Sequence, residues 1–584
     1  MHDNHPQHPL KTKAKVLLSS VFGPYAQDDQ YGSRQINPME LYHNQVTRAQ
    51  GVFSLRMFHR SFGLLMIQAN IEAPSTLLDF PDLDRFESEI RDNDFDIVGI
   101  SSIIPNVGKV KKMCELVRTH LPRATIVIGG HVANLPDLAE RISADHIVRG
   151  DGIGWFRRYL GQDETKPIRH PQVLSAHGTR ILGHNLAGKP GDTAAIVVPS
   201  VGCPMGCNFC STSHLFGGKG HFINFYETGD ELFAIMCELE EKLKVSSFFM
   251  MDENFLLHRK RALRLLELVE QHNKSWSMYL FSSARVLRSY TMEQLVSLGV
   301  SWVWMGLEGQ KSRYRKLNGI DTLALVKELQ SHGIRVLGSS IIGLENHTMD
   351  NIDQVIDYAV SHNTDFHQFM LYTALPGTPL HRELQEKDLL LPEAEMPHAD
   401  SHGQFRFNHR HLHIHGHQEE ELIQEAFRRD FDKNGPSLYR LIRTMLQGWL
   451  RYRDHQDARI MKRYAEEMKP LRTTYAAAVW AMGKWYSNSN PALAAKLRLL
   501  LQQLYQTFGW QTRLYAPTVG RYIHFAMHRE EKQLAQGWSP EPATFCEKKT
   551  ASVIAATAQP AVVREQGLPQ MAEPHMIFSK SNIS

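Results

Sequence analysis

Cysteine is scarce in this chain, with six in 584 residues. That excludes a disulfide-built scaffold, and with a polar, His-rich start from Met1 to Pro9 and no secretory pattern the chain reads as cytosolic and reduced. Long apolar runs are missing too. No uninterrupted stretch approaches the roughly 18 to 20 residues of a membrane span, so no transmembrane segment is expected. A surplus of one charge is also absent: 65 Lys and Arg face 62 Asp and Glu. A balance this mild argues against nucleic acid as a partner. What remains is a globular chain long enough for about three or four domains.

Half of the few cysteines stand together. Cys203, Cys207 and Cys210 lie in Gly-Cys-Pro-Met-Gly-Cys-Asn-Phe-Cys, just after the apolar run Ala194 to Pro199. Three thiolates in one short loop can hold three corners of an iron-sulfur cube and leave the fourth iron open to a ligand that is not protein. A structural zinc is the other reading, because His214 would complete a Cys3His set, although zinc sites usually pair two Cys-x-x-Cys knuckles and no second pair exists here. Cys114, Cys237 and Cys546 are isolated and read as ordinary thiols. The triplet and its setting resemble the radical S-adenosylmethionine (SAM) superfamily. The resemblance implies a [4Fe-4S] cluster on these three cysteines, with SAM chelated at the open iron and cleaved to a 5′-deoxyadenosyl radical.

The residues that follow alternate between two periods. Strand-like runs at Ala194 to Pro199, Ser246 to Asp252, Trp276 to Ser282, Ser301 to Leu307, Ile334 to Ile342 and Asp365 to Thr373 are interleaved with helical patterns such as Asp230 to Lys244, His258 to Asn273, Thr291 to Leu298 and Met349 to His362. Right-handed crossovers curl six such β-α units into a partial parallel barrel whose chemistry gathers at the strand carboxyl ends. Those ends read Asp252-Glu253-Asn254, Ser282-Ser283-Ala284-Arg285, Gly306-Leu307-Glu308 and Gly338 to Gly343. By resemblance to the superfamily, Glu308 is expected at the SAM ribose, Arg285 at its carboxylate, Phe209 beside adenine and Gly306 among the SAM contacts, and Pro376-Gly377-Thr378-Pro379 resembles the barrel's end. Taken singly, each polar residue also reads as a helix cap or a surface ion pair.

Upstream, Lys15 to Ser20, Gly63 to Gln68, Ile97 to Ser102, Thr125 to Gly130 and His146 to Gly150 read as short parallel strands, with helices over Val107 to Leu121 and Pro136 to Ile142. The loops at their carboxyl ends read Ser101-Ser102, Gly129-Gly130-His131 and Gly150-Asp151-Gly152, and the small residues there let backbone approach a large ligand closely. The order Asp-Ile-Val-Gly-Ile-Ser, Ile-Val-Ile-Gly-Gly, Val-Arg-Gly-Asp-Gly resembles the cobalamin-binding domain that precedes the barrel in B12-dependent radical SAM enzymes. The resemblance covers roughly residues 10 to 390. It implies cobalamin at Ser101, Ser102, Gly129, Gly130 and Gly150. One departure is visible: where mutase-type domains carry Asp-x-His-x-x-Gly after the first strand, the register ending at Gly23 places Leu18 and Ser20, so no lower axial histidine is expected from this loop.

The expected organisation is therefore α/β: a Rossmann-like cobalamin-binding domain over residues 1–185, a partial (β/α)6 radical SAM barrel over 186–395, a helical domain over 396–545, and a disordered tail over 546–584 rich in Ala, Pro and Gln. The stripe Leu438, Leu441, Ile442, Met445, Leu446, Trp449 and Leu450 reads as a helix packed on the barrel, with a cap over a lipid-like substrate as the alternative. His409, His411, His413, His415 and His417 alternate as on a strand face and read as a solvated linker rather than a metal site. Substrate choice is expected to rest on the segment Phe22 to Phe80, including Tyr25, Asp28, Asp29, Tyr31 and Arg34, together with the C-terminal helices.

The resemblance implies a methyltransferase acting on an unactivated carbon, in which one SAM supplies the radical and another methylates cobalamin, with flavodoxin or ferredoxin as electron donor. Cyclisation or rearrangement without methyl transfer is the alternative reaction, and a cobalamin or iron-sulfur sensor the alternative class. Protein side chains would then position groups and exclude water, so no acid-base dyad is required.

Overall fold

A computed structural model describes residues 7–23, 31, 52–53, 60–175, 180–185, 193–309, 314, 317, 319–536, 538 and 544–550. Tyr25, Asp28, Asp29 and Arg34 and the tail beyond 550 lie outside these residues.

The N-terminal sheet contains β1 (Val16–Ser20), β2 (Ser75–Asp79), β3 (Ile97–Ser101), β4 (Thr125–Gly129) and β5 (His146–Ile147). β1 pairs in parallel with both β2 and β3, and β3–β4–β5 continue in parallel. All five residues of β1 and of β2 are buried, as befits strands covered by helices on both faces. A short antiparallel hairpin, β6 (Arg180–Ile181) and β7 (His184–Asn185), leads to the second sheet.

There β8 (Ala195–Val197) runs into a small antiparallel pair, β9 (Ser200–Val201) with β10 (Ile223–Asn224), which brackets the cysteine loop. β11 (Ser247–Met250), β12 (Ser277–Phe281), β13 (Val300–Glu308), β14 (Arg335–Ile342) and β15 (Phe366–Leu371) then follow β8 in sequential spatial order, every pair parallel. β8 and β15 are the two edges, so the barrel is partial, as expected from six β-α units.

The C-terminal helices, from Gln418–Asn434 to Trp510–Ala535, do not form a core of their own. Leu441, Ile442, Met445, Ala477 and Met482 join the same buried cluster as Met278, Val303 and Leu329 of the barrel. Six of the seven stripe residues fit this packing, but Leu450 is exposed. Arg440 is fully buried, bonded to Asp430 at 2.9 Å and to the Thr364 carbonyl.

Four expectations are corrected. Gly63 to Gln68 lies within a helix, Phe62–Asn70, because a short apolar run of Leu, Met and Ile does not distinguish buried helix from buried strand; the actual strand is β2, just past Pro74. The tail does not begin at Cys546: Phe545–Lys549 form β16, antiparallel to β2 at the sheet edge, where pairing and not composition decides. Lys549 anchors it through the Gln68 and Ile71 carbonyls. The histidine strip is not a strand face. Nor is it uniformly solvated: His409 and His411 are buried, His411 Nε2 meeting the Gly343 carbonyl at 3.1 Å, while His413, His415 and His417 are exposed.

Candidate functional site

The cysteine loop is held by its own main chain. Gly202 and Gly206 have φ of +86° and +64°, and a Cβ on Gly206 would stand 2.5 Å from Lys219 Cβ, so only glycine makes the turn between Cys203 and Cys207. The Cys210 N–H donates to the Cys207 carbonyl at 3.1 Å, and Ser213 Oγ to the Cys203 carbonyl at 2.5 Å. None of the three cysteines is in a disulfide. Burial pushes the Cys203 thiol up to about 12, with Cys210, Cys207 and Glu253 adding to the shift. Three thiolates this close need cationic iron to hold them deprotonated.

The zinc alternative loses its fourth ligand. His214 Nε2 lies 3.2 Å from the Cys207 carbonyl, and among the described residues no three His, Cys, Asp or Glu groups are arranged to hold a single ion. In a cube each thiolate binds its own iron, so its sulfurs stand further apart than zinc ligands do. The residues present fit a cluster.

Between Cys207 and Cys210, Asn208 and Phe209 are fixed by two tyrosines the sequence did not single out. Asn208 Nδ2 donates to the Tyr372 hydroxyl at 3.0 Å, and the Tyr314 hydroxyl donates to Asn208 Oδ1 at 3.2 Å. Both rings stand edge-on to Phe209, at 5.2 and 6.0 Å.

The barrel mouth beside this loop is a polar network. Asp252 accepts from Ser200 Oγ at 2.5 Å and from Arg261 at 2.7 Å, all three groups being buried. Asn254 Oδ1 accepts from Ser282 Oγ and the Ser283 N–H, tying the ends of β11 and β12 together. Burial first, and the Asp252 charge second, push Glu253 up to about 7. Glu308 is buried with φ of +43°, next to a register break between Gly306 and Glu308. A Cβ on Gly306 would come 2.4 Å from Glu308 Oε1, so the carboxylate folds over that glycine. A non-glycine residue held at positive φ at a strand end carries strain of about 1–3 kcal/mol, typical of a site that aims a side chain. Arg285 lies in the short helix Ala284–Leu287 and is exposed.

Two adjoining cavities, of about 560 and 480 Å³, open between the two sheets. Ser101, Gly129, Gly130 and Gly150 line the first; Ser101, Ser102 and Gly130 line the second. All five residues expected at cobalamin thus meet one chamber. Phe209, Arg285, Gly306 and Glu308 do not line it. Thr212 and Leu215, on the helix that starts after Cys210, also line the first cavity, and the Leu215 carbonyl would stand 3.6 Å from a Cβ on Gly150. Gly130 has φ of +80°, and a Cβ there would meet the Ser102 carbonyl at 2.6 Å. A Cβ on Gly129 would meet nothing nearer than 3.9 Å and would take up cavity space instead. Such a cradle fits a ligand as large as cobalamin. Ser20, at the former imidazole position, receives the Phe80 N–H on its Oγ.

Arg60 and Gln404 were not legible in the sequence, and His131 was legible only as the end of the loop Gly129-Gly130-His131. His131 lines both cavities, its Nδ1 shielded and without a hydrogen bond, and burial lowers it to about 4. Arg60 lines both as well, 3.5 Å from Asp79 and stacked on Phe545 of β16. Gln404 reaches the second cavity from the segment after the barrel.

Comparison with known proteins finds a family match for each of the two sheet domains. Residues 51–159 match the B12 binding domain and residues 197–359 the Radical SAM superfamily. The chain is a cobalamin-dependent radical SAM enzyme, with a [4Fe-4S] cluster, SAM and cobalamin as its cofactors. Similar proteins include an uncharacterized methyltransferase, PH0819, of Pyrococcus horikoshii, 24% identical over 52% of this chain and 72% of that one. The bacteriochlorophyllide d C-8(2)-methyltransferase of Chlorobaculum tepidum is 23% identical over 58% and 78%. The anaerobic magnesium-protoporphyrin IX monomethyl ester cyclase of Rubrivivax gelatinosus is 26% identical over 50% and 59%. No helix among the described residues is long and apolar enough to cross a membrane.

Proposed function

We propose that this enzyme transfers a methyl group to an unactivated carbon of a small-molecule substrate. The observation that carries the reading is the chamber between the two sheets, lined by Ser101, Gly129, Gly130 and Gly150 together with Thr212 and Leu215 of the helix after Cys210. A cluster on the cysteine loop with SAM at the barrel mouth would supply a hydrogen-abstracting radical, and cobalamin in the chamber would supply a methyl group.

The chain's own residues position and shield. Cys203, Cys207 and Cys210 hold the cluster, leaving one iron to SAM. Phe209, Gly306, Glu308 and Arg285 receive SAM; because Arg285 is exposed, its part requires the side chain to turn inward. Ser101, Ser102, Gly129, Gly130 and Gly150 bring backbone against the corrin and its tail. Met251 and Phe281, which line both cavities, exclude water between the two cofactors. No residue need serve as general base. The domain limits 1–185, 186–395 and 396–545 belong to the same reading, with the last two sharing one core. A flavodoxin or ferredoxin delivers the electron.

A cyclase or rearrangement reading is favoured by cyclase relatives alone. With reductant, SAM, cobalamin and substrate, methyl transfer yields 5′-deoxyadenosine and S-adenosylhomocysteine in near-equal amounts. Sustained deoxyadenosine without S-adenosylhomocysteine, and no gain of a methyl mass, establishes the other reading.

A further inference from the structure

From Pro491 to Arg529 the chain contains no aspartate or glutamate, while Lys496, Arg498, Arg513, Arg521 and Arg529 fall inside that stretch. A chain with 65 basic and 62 acidic side chains has here a purely basic segment. It folds as two helices, Pro491–Phe508 and Trp510–Ala535, joined at Gly509 with φ of +80°.

One side of the pair is used by the fold. Leu493, Leu497, Leu500 and Leu504 of the first helix and Ala516, Gly520, Ile523 and Met527 of the second are buried, and a Cβ on Gly520 would meet the Trp480 ring at 2.6 Å. The other side carries large apolar groups in water: Trp510 is 70% exposed, Phe525 68%, Leu514 66% and, on the first helix, Leu499 62%. Trp510, Leu514, Arg521, Phe525 and Arg529 are spaced by four or seven residues, which returns each to the same helix face. None of these residues lines the two cavities, so the chemistry already described does not account for them.

We propose that this face docks the enzyme on an anionic lipid surface, lying in the interface and not crossing it. Trp, Phe and Leu give apolar area to the boundary between headgroups and acyl chains, and the arginines between them meet headgroup phosphates. A second copy of the chain is the poorer occupant. Symmetric pairing sets a face against itself, here arginine against arginine with no acid between Pro491 and Arg529 to offset them. A nucleic acid would use the arginines but would leave Leu499 and Leu514 without a partner.

The test uses the full-length protein sedimented with vesicles of phosphatidylcholine alone or mixed with phosphatidylglycerol, at low and high salt. Binding to the mixed vesicles, lost at high salt and about tenfold or more weaker in R521E/R529E and in W510A/F525A, is the expected result. Both variants change exposed residues, and matching thermal melts show that they fold; if one does not, R521E alone serves. Failure to bind the mixed vesicles, equal binding to both vesicle types, or binding that the variants leave intact overturns the proposal. So does a nucleic-acid complex without vesicle binding, or a dimer that W510A/F525A dissociates.

Discussion

In the N-terminal sheet the strand order reverses at β1, which lies between β2 and β3, whereas the barrel sheet steps from β8 to β15 without reversal. Reversal sends neighbouring connections to opposite faces and leaves a crevice at the strand ends. Uniform stepping keeps the connections on one side and curls the sheet until its strand ends converge on a mouth. The end residues differ accordingly. Serines and glycines at 101–102, 129–130 and 150 make room at the crevice, while Asp252, Glu253, Asn254 and Glu308 present polar groups at the mouth. One sheet is shaped to be filled by a large ligand and the other to orient a small charged one. Their division of labour can be broken one side at a time.

The largest effect is expected from Cys207→Ala. Iron content and the cluster's visible absorption fall to background and no 5′-deoxyadenosine forms, while cobalamin still binds, as read by its own spectrum after gel filtration. Gly130→Val inverts the result. A β-branched residue at φ of +80° whose Cβ meets the Ser102 carbonyl costs cobalamin affinity on the order of a hundredfold, and iron content stays at the wild-type value. A chain ending at residue 540 removes β16 and the Phe545 ring beneath Arg60. It should bind cobalamin about fivefold more weakly, a loss near 1 kcal/mol, and cleave SAM normally once loaded.

Acid sharpens the comparison further. Burial lowers His170 and His347 to about 4 and His367 to about 3, and lowers His402 to about 3 and His409 to about 4; all five lie on or beside the barrel. An unfolded imidazole titrates near 6.5, so these neutral rings contribute stability that is complete above that pH and is lost as pH falls toward 4. Each proton taken up on unfolding steepens the loss by about 1.4 kcal/mol per pH unit. His170 shows why: its Nε2 accepts the Val198 N–H beside β8, and protonation removes that acceptor. Hydrogen exchange at pH 5 should therefore open the barrel before the N-terminal sheet, beside which His131 is lowered in the same way. Simultaneous opening of both would show that the buried histidines do not set the acid limit.

How much of this was visible beforehand depended on whether a signal was local. β11 to β15 were readable because each is a long apolar run bounded by helical pattern, and the cysteine loop because three thiols stand within eight residues. β2 was not readable, since five residues after Pro74 carry too little period. β16 could not be read at all: Phe-Cys-Glu-Lys-Lys has no apolar face of its own and becomes a strand because β2 offers an unpaired edge. The tyrosines that hold Asn208 sit 106 and 164 residues from it, a distance no motif spans.

By itself, then, the sequence determined the kinds of chemistry present: three thiols in one turn, small residues at the ends of three strands, an acid at the end of β13, and a basic helical stretch without acids. These depend on residue type and short spacing, which the chain carries at every stage of folding. Only the tertiary structure decided that Ser101, Gly130 and Gly150 line one cavity with the helix after Cys210, that His131 and Arg60 line it too while Gln404 lines the adjoining one, and that Trp510 and Phe525 stay in water. Those outcomes follow from packing between segments hundreds of residues apart, where burial is set by what the rest of the chain leaves uncovered.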